Sequence, residues 1–243
     1  MALTDNLVAY WRLDEASGTR ADSSGNGRSL TAIGAPLSRA GKLGDGVDFV
    51  TASSQRLEIS AASLGSVLVR SADWTIAGWV LTDTTGTFQE VWGQFDGSLR
   101  GPLGRYNGSG NFVVQWLNSV FSSFSATSTV TASASTWYFY AAWHDIAAGK
   151  IYVSVNRETA VASASLTGTF NNSTCPFALG QRAGTGGSLA TYQDGGWDAV
   201  GIWSRALTSG ELDQLYNSGA GLDPTASTGS ALPLFAAQLM AMR

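Results

Sequence analysis

One cysteine, one histidine and two lysines are all that the 243 residues supply of those types. A lone Cys175 excludes an intrachain disulfide, which suits a reducing compartment and equally a secreted fold that needs no covalent staple. A lone His144 excludes a zinc centre built from several imidazoles and leaves one imidazole as a candidate base. Charged residues make up 13% of the chain, where ordinary soluble domains carry about 25%. The net charge is −4 and there is no basic run, so the electrostatic footprint of a nucleic-acid binder is missing and no nucleic-acid partner is expected. No stretch approaches the roughly 20 apolar residues of a membrane-spanning helix. Met1 to Asn6 lead straight into an apolar segment, with none of the parts of a signal peptide. The expectation is a mature chain behind a new Met, or a protein that is not exported by that route.

What is present is apolar, aromatic and short-ranged. Hydrophobic residues are 44% of the chain, with nine Trp, ten Phe and seven Tyr. Brief β-branched and aromatic runs recur between clusters of Gly, Ser, Asn and Asp, which is the pattern of a sandwich or barrel. Such runs are Leu7–Leu13, Val47–Val50, Arg56–Ile59, Trp74–Leu81, Gln89–Phe95 and Asn111–Leu117, then Trp137–Trp143, Ile151–Asn156, Pro176–Gly180 and Trp197–Trp203. In Ile151 to Asn156 the alternate positions are apolar and β-branched, a period of two that buries one sheet face. Trp74 to Leu81 is apolar on both faces, as in a central strand covered from both sides. Asp145 to Lys150 reads as a hairpin loop turning at Gly149. Ser122 to Thr136 is rich in Ser, Thr and Ala and reads as a solvent-facing strand near Thr127–Thr131 with flexible flanks.

One helix is marked. Thr208 and Glu211 have the spacing of a capping box, Leu212, Leu215 and Tyr216 share a face, and Gly219 is a stop. Two turns of helix need a sheet to lie on.

Four stretches, in order, resemble laminin G-like domains of the concanavalin A-like superfamily. They are LVAYWRLDEASGTRADSSGNG from Leu7, GKLGDGVDF from Gly41, Trp74 to Val80, and WDAVGIWSRAL from Trp197 with the helix that follows. The resemblance implies an all-β, antiparallel two-sheet jelly-roll sandwich with one short C-terminal helix, spanning residues 1–222. It also implies a structural Ca2+ site, for which Asp22, Ser24 and Asn26 stand at alternate positions and Asp198 matches an Asp of the closing strand. Ala199 replaces the acidic neighbour usual beside that Asp, and Ile33 at the twelfth position excludes an EF-hand loop.

Sugar binding is a further implication, since sugars present apolar faces to aromatics and hydroxyls to polar side chains. The loop candidates are Arg105, Tyr106 and Asn107, and Tyr192, Gln193 and Asp194. The tryptophans mostly fall within strands and read as core. An enzyme is not expected. No strand carries the alternating carboxylates of a sandwich glucanase, and the adjacent Asp14 and Glu15 point to opposite faces of a strand.

Residues 223–243 form a linker and an apolar tail, in which Leu232, Leu234, Phe235, Leu239 and Met240 are candidates for docking on a partner. A closed sandwich with such a tail leads to a first expectation: a non-catalytic decoration, cement or fibre protein on the surface of a tailed-phage virion, held to other subunits by the tail. The alternative is a carbohydrate-binding module of a bacterial surface protein, extracellular or at the cell surface.

Overall fold

In a computed structural model, residues 1–95, 100–171, 174–181 and 191–226 are described. The strands are β1 (Leu7–Trp11), β2 (Thr31–Ile33), β3 (Leu37–Ala40), β4 (Asp45–Phe49), β5 (Arg56–Ile59), β6 (Trp74–Thr82), β7 (Gln89–Phe95), β8 (Arg100–Tyr106), β9 (Asn111–Leu117), β10 (Ser123–Thr131), β11 (Tyr138–Asp145), β12 (Lys150–Val155), β13 (Val161–Ala162), β14 (Phe177–Leu179) and β15 (Gly195–Trp203). The helices are α1 (Ala61–Leu64) and α2 (Ser209–Tyr216). One sheet runs β13-β12-β11-β6-β15-β4-β3, with β1 also paired to β15, and the other runs β10-β9-β8-β7-β14-β5-β2. The strand pairings are antiparallel. This is the expected two-sheet sandwich.

Aromatic residues fill the space between the sheets. Trp74 meets Trp92 edge-on at 6.2 Å and Trp116 at 5.9 Å, geometries that suit ring quadrupoles. Strand β6 is buried along all nine residues, as its two apolar faces predict. One face joins this inner core. The other, with Ala77 and Trp79, joins a second apolar cluster outside the eight-stranded sheet, beneath Leu207, Leu212 and Leu215 of the closing segment. Helix α2 starts with the reciprocal capping box of Thr208 and Glu211 and stops at Asn217, left-handed at φ 46°, two residues before the expected glycine.

Some elements differ from expectation. The Ser/Thr-rich segment is a full strand, β10, in which exposed and buried residues alternate from Ser123 to Thr129. Its small side chains pack on β9, so the expected flexible flank on its N-terminal side is ordered sheet. Strand β8 includes Arg105 and Tyr106, read above as loop residues, and it contains Pro102, which lacks an N–H for the ladder. It sits where the β7–β8 register shifts between Gly93 and Phe95, so no ladder bond is demanded of it. The N-terminal segment is fastened to the closing strand, with Trp203 Nε1 donating to the Leu3 carbonyl at 2.7 Å. Asp223 and Thr225 accept from the Arg12 guanidinium, which ties the chain beyond residue 222 to the edge of β1.

Candidate functional site

The β7–β8 pairing brings the two predicted loops to one end of the sandwich. Gln89 faces Tyr106 and Glu90 faces Arg105, so Phe88, just before β7, lies against the start of the β8–β9 turn. The Arg105 guanidinium is 5.5 Å from the centre of the Phe88 ring, within reach of a cation–π contact. From the other side, the Glu90 N–H donates to the Thr191 carbonyl at 3.0 Å and the Asp83 N–H to Asp194 at 2.8 Å. The result is a hollow of about 320 Å³ walled by Thr84, Thr87, Phe88, Gln89, Tyr192 and Asp194.

Phe88 is 55% exposed, a large apolar ring held in water by its neighbours. Buried Gln89 fixes the rim: its amide donates to the Thr84 carbonyl at 2.6 Å, and its oxygen accepts from the Asp194 N–H at 2.9 Å. The hollow therefore offers an aromatic surface beside fixed hydroxyls and a carboxylate, an arrangement that suits a sugar ring.

Tyr192 lines this hollow and Arg105 lies against its Phe88 ring, but Tyr106, Asn107 and Gln193 do not line it. Tyr106 alternates inward, is 2% exposed and packs on Phe112 at 4.9 Å. Burial raises its phenol well above the ordinary range. Gln193 is fully buried, with its amide donating to the carbonyls of Leu81 and Gly196. Asn107 shapes the turn, its oxygen accepting from the N–H groups of Ser109 and Asn111, both at 2.9 Å. Phe88 and Gln89 were the missed residues. The only signal was an aromatic residue at the junction of a Thr/Gly-rich turn and a strand.

Asp22, Ser24 and Asn26 do share one loop, and hydrogen bonds account for its shape. The Asp22 carboxylate accepts from the N–H groups of Tyr10, Ser24 and Arg28 at 3.1, 2.9 and 2.9 Å. Burial raises its pKa, but these donors outweigh burial and hold it below the usual value. The Asn26 amide donates to the carbonyls of Leu7 and Val8.

Asp198 is engaged elsewhere. Its Oδ2 accepts from the N–H groups of Lys42 and Leu43 at 2.5 and 2.7 Å, beneath the turn between β3 and β4. A Cβ at Gly41 would stand 2.6 Å from that oxygen, so the turn needs glycine there. Asp22 and Asp198 accept from N–H donors in two separate loops and Asn26 turns its amide to carbonyls, a set that does not fit one calcium ion, and no group of three or more His, Cys, Asp or Glu suited to a metal occurs among the described residues.

The candidate catalytic groups are structural. His144 is buried, with Nδ1 2.7 Å from the Ala72 carbonyl and Nε2 3.2 Å from Arg70. Burial lowers its pKa against the opposing pull of the Ala72 carbonyl, which leaves a neutral core imidazole. Asp14 accepts from the Asp45 N–H and Glu15 from the Ala21 N–H. Cys175 is buried. Among the described residues no helix is long and apolar enough to cross a membrane. The docking candidates Leu232, Leu234, Phe235, Leu239 and Met240 lie outside the described residues.

The model of a family described as the concanavalin A-like lectin/glucanases superfamily matches residues 54–213. No curated protein matches the sequence. Among solved structures, the binding domain of Paraclostridial Mosquitocidal Protein 1 is similar at 17% identity and a TM-score of 0.71, over 89% of this chain and 53% of its own. Domain 4 of AbnA, a GH43 extracellular arabinanase from Geobacillus stearothermophilus, solved with arabinotriose, is similar at 18% identity and a TM-score of 0.66, over 89% of this chain and 98% of its own. The binding domain of Botulinum Neurotoxin DC, solved with SialylT, is similar at 10% identity and a TM-score of 0.66. The chain spans about half the length of the two toxin domains. At these identities the likeness is one of fold.

Proposed function

The chain belongs to the concanavalin A-like lectin/glucanase superfamily, and from that premise we propose that it is a non-catalytic module that binds glycans at the rim around Phe88. The observation that carries the reading is the meeting of Phe88, Tyr192 and Asp194 at one hollow beside a buried, hydrogen-bonded glutamine, with Arg105 against the Phe88 ring. Exposed rings stack on the C–H face of a sugar, and the Asp194 carboxylate and the Thr84 and Thr87 hydroxyls meet its hydroxyl groups. Two of the similar folds were solved with glycans, one of them in an extracellular enzyme, which supports an extracellular or cell-surface setting. The three solved structures described above are toxin and enzyme modules, and none supports the virion-surface reading.

A glycan array followed by titration of the best ligand tests this. Phe88→Ala and Tyr192→Ala should each weaken binding about tenfold, the loss of roughly one stacked ring, with the fold intact. An array without binding, or binding indifferent to both substitutions, would sink the reading.

A further inference from the structure

At the far end of β6 from the Phe88 rim, the outer face of the eight-stranded sheet carries a second aromatic surface. Trp143 and Tyr152 face each other across the β11–β12 pair. Their rings lie 5.2 Å apart and 5° from parallel. Both residues are only half-buried, whereas Trp11, Trp74, Trp92, Trp116, Trp197 and Trp203 are enclosed.

Trp143 walls a groove of about 380 Å³ together with Arg157, Glu158, Thr159, Leu207 and Ser209. Tyr152 does not reach this groove. It backs one face of the indole, which also packs against the outer apolar cluster and lines the groove. That volume falls within the range of small-molecule sites, about 300–1,000 Å³.

The polar groups of the groove are held in place. Asn156 and Arg157 are consecutive non-glycine residues in the left-handed region, at φ 48° and 65°. Such strain persists only where the surroundings impose it. Here it carries the Arg157 side chain to helix α2, where Nη2 donates to Ser209 Oγ at 2.7 Å and Nε pairs with Asp213. Glu158 Oε2 accepts from the Thr129 hydroxyl. Its Oε1 is enclosed and has no hydrogen-bond partner among the described residues.

We propose that this groove is a second glycan site, specific for a neutral pyranose stacked on Trp143 with its hydroxyls toward Arg157 and Ser209. The proposal rests on the glycan-binding reading for its class of ligand and not for its place. Arg157 supplies one positive charge against the two carboxylates of Asp213 and Glu158, so an acidic sugar is disfavoured. Thr75, which pairs with Trp143, and Thr82, beside the Phe88 rim, are seven residues apart on one strand, about 23 Å at the rise of a strand. Two sugar units of one polymer, or of two neighbouring chains, fit that spacing, and avidity then exceeds either single affinity.

The test follows the tryptophan indole N–H resonances of the full 15N-labelled chain, with the Trp143 signal assigned by its loss in Trp143→Phe. Methyl pyranosides of D-glucose, D-galactose and D-mannose are the probes, with N-acetylneuraminic acid as the acidic comparison. The Trp143 signal should move and saturate with at least one neutral pyranoside, should do so equally in Phe88→Ala, and should need at least tenfold more sugar in Arg157→Ala. A Trp143 signal that moves with no neutral pyranoside, that moves with the acidic sugar alone, or that falls silent in Phe88→Ala overturns the proposal. A Trp143 response in a protein whose rim substitutions change nothing supports this site and removes the other.

Discussion

Glu211, at the start of the closing helix, and Asp198, beneath the turn between β3 and β4, are both buried carboxylates of the closing segment, yet their surroundings push them in opposite directions. The Arg205 guanidinium meets Glu211 with two nitrogens at 2.7 and 2.8 Å, and Thr208 adds its N–H and hydroxyl. The Arg205 hydrogen bonds lead in holding Glu211 down at about 2. Asp198 has no cation among the described residues. Two N–H groups face one of its oxygens, the other is enclosed without a hydrogen-bond partner among those residues, and burial lifts its pKa to about 6. Burial alone therefore does not set the sign of a carboxylate's contribution; the partner does.

Breaking the paired site should have the largest effect. Arg205→Ala leaves Glu211 buried and unpaired, and should cost about 3–5 kcal/mol in denaturant unfolding. The pH dependence follows from the depressed pKa. Glu211 contributes stability above its unfolded value of 4.5, and that contribution is lost as the pH falls from 4.5 towards 2. The variant should lack this acid-side slope, and a slope equal to that of the parent would contradict the assignment.

The unpaired site should give the opposite slope. The folded state binds a proton at Asp198 more tightly than the unfolded state does, so stability is greatest below 3.8 and declines as the pH rises from 3.8 to 6. Asp198→Asn removes that titration. Relative to the parent, the variant should gain up to about 3 kcal/mol between pH 4 and 7. A stability difference that does not change with pH would show that Asp198 carries no raised pKa.

The smallest effect expected is none. The Asp22 loop is closed by its own N–H donors, so chelator should leave the melting temperature unchanged. A drop would restore the ligand-linked stabilisation of a bound ion.

The sequence was most legible where one residue settles one local geometry. The capping box of Thr208 and Glu211 and the doubly apolar β6 could be placed to within a residue or two, because neither depends on a distant partner. Strand β8 was not read as a strand, since Arg105 to Asn107 have the composition of a loop; its Pro102 sits where the register slips, and slippage is a property of two strands. The site was half legible for the same reason. Arg105 and Tyr106 are neighbours in one strand and so face opposite ways; choosing between them needs the sheet. Ala142, Trp143 and His144 show the same alternation, with the indole facing outward between two inward residues. Gln193 has the composition of a loop ligand, but the open carbonyls of Leu81 and Gly196 draw it inward.

Strand β15 lies between β6 and β4 and also carries β1, so the last of the described strands occupies the middle of its sheet. During synthesis, β6 and β4 therefore emerge with facing edges open, and nothing made before residue 195 can join them. Long-range closure of this kind slows folding and prolongs the exposure of unpaired edges. The sandwich is thus completed only after β15 has left the ribosome, and its most aggregation-prone interval ends with the arrival of Gly195 to Trp203.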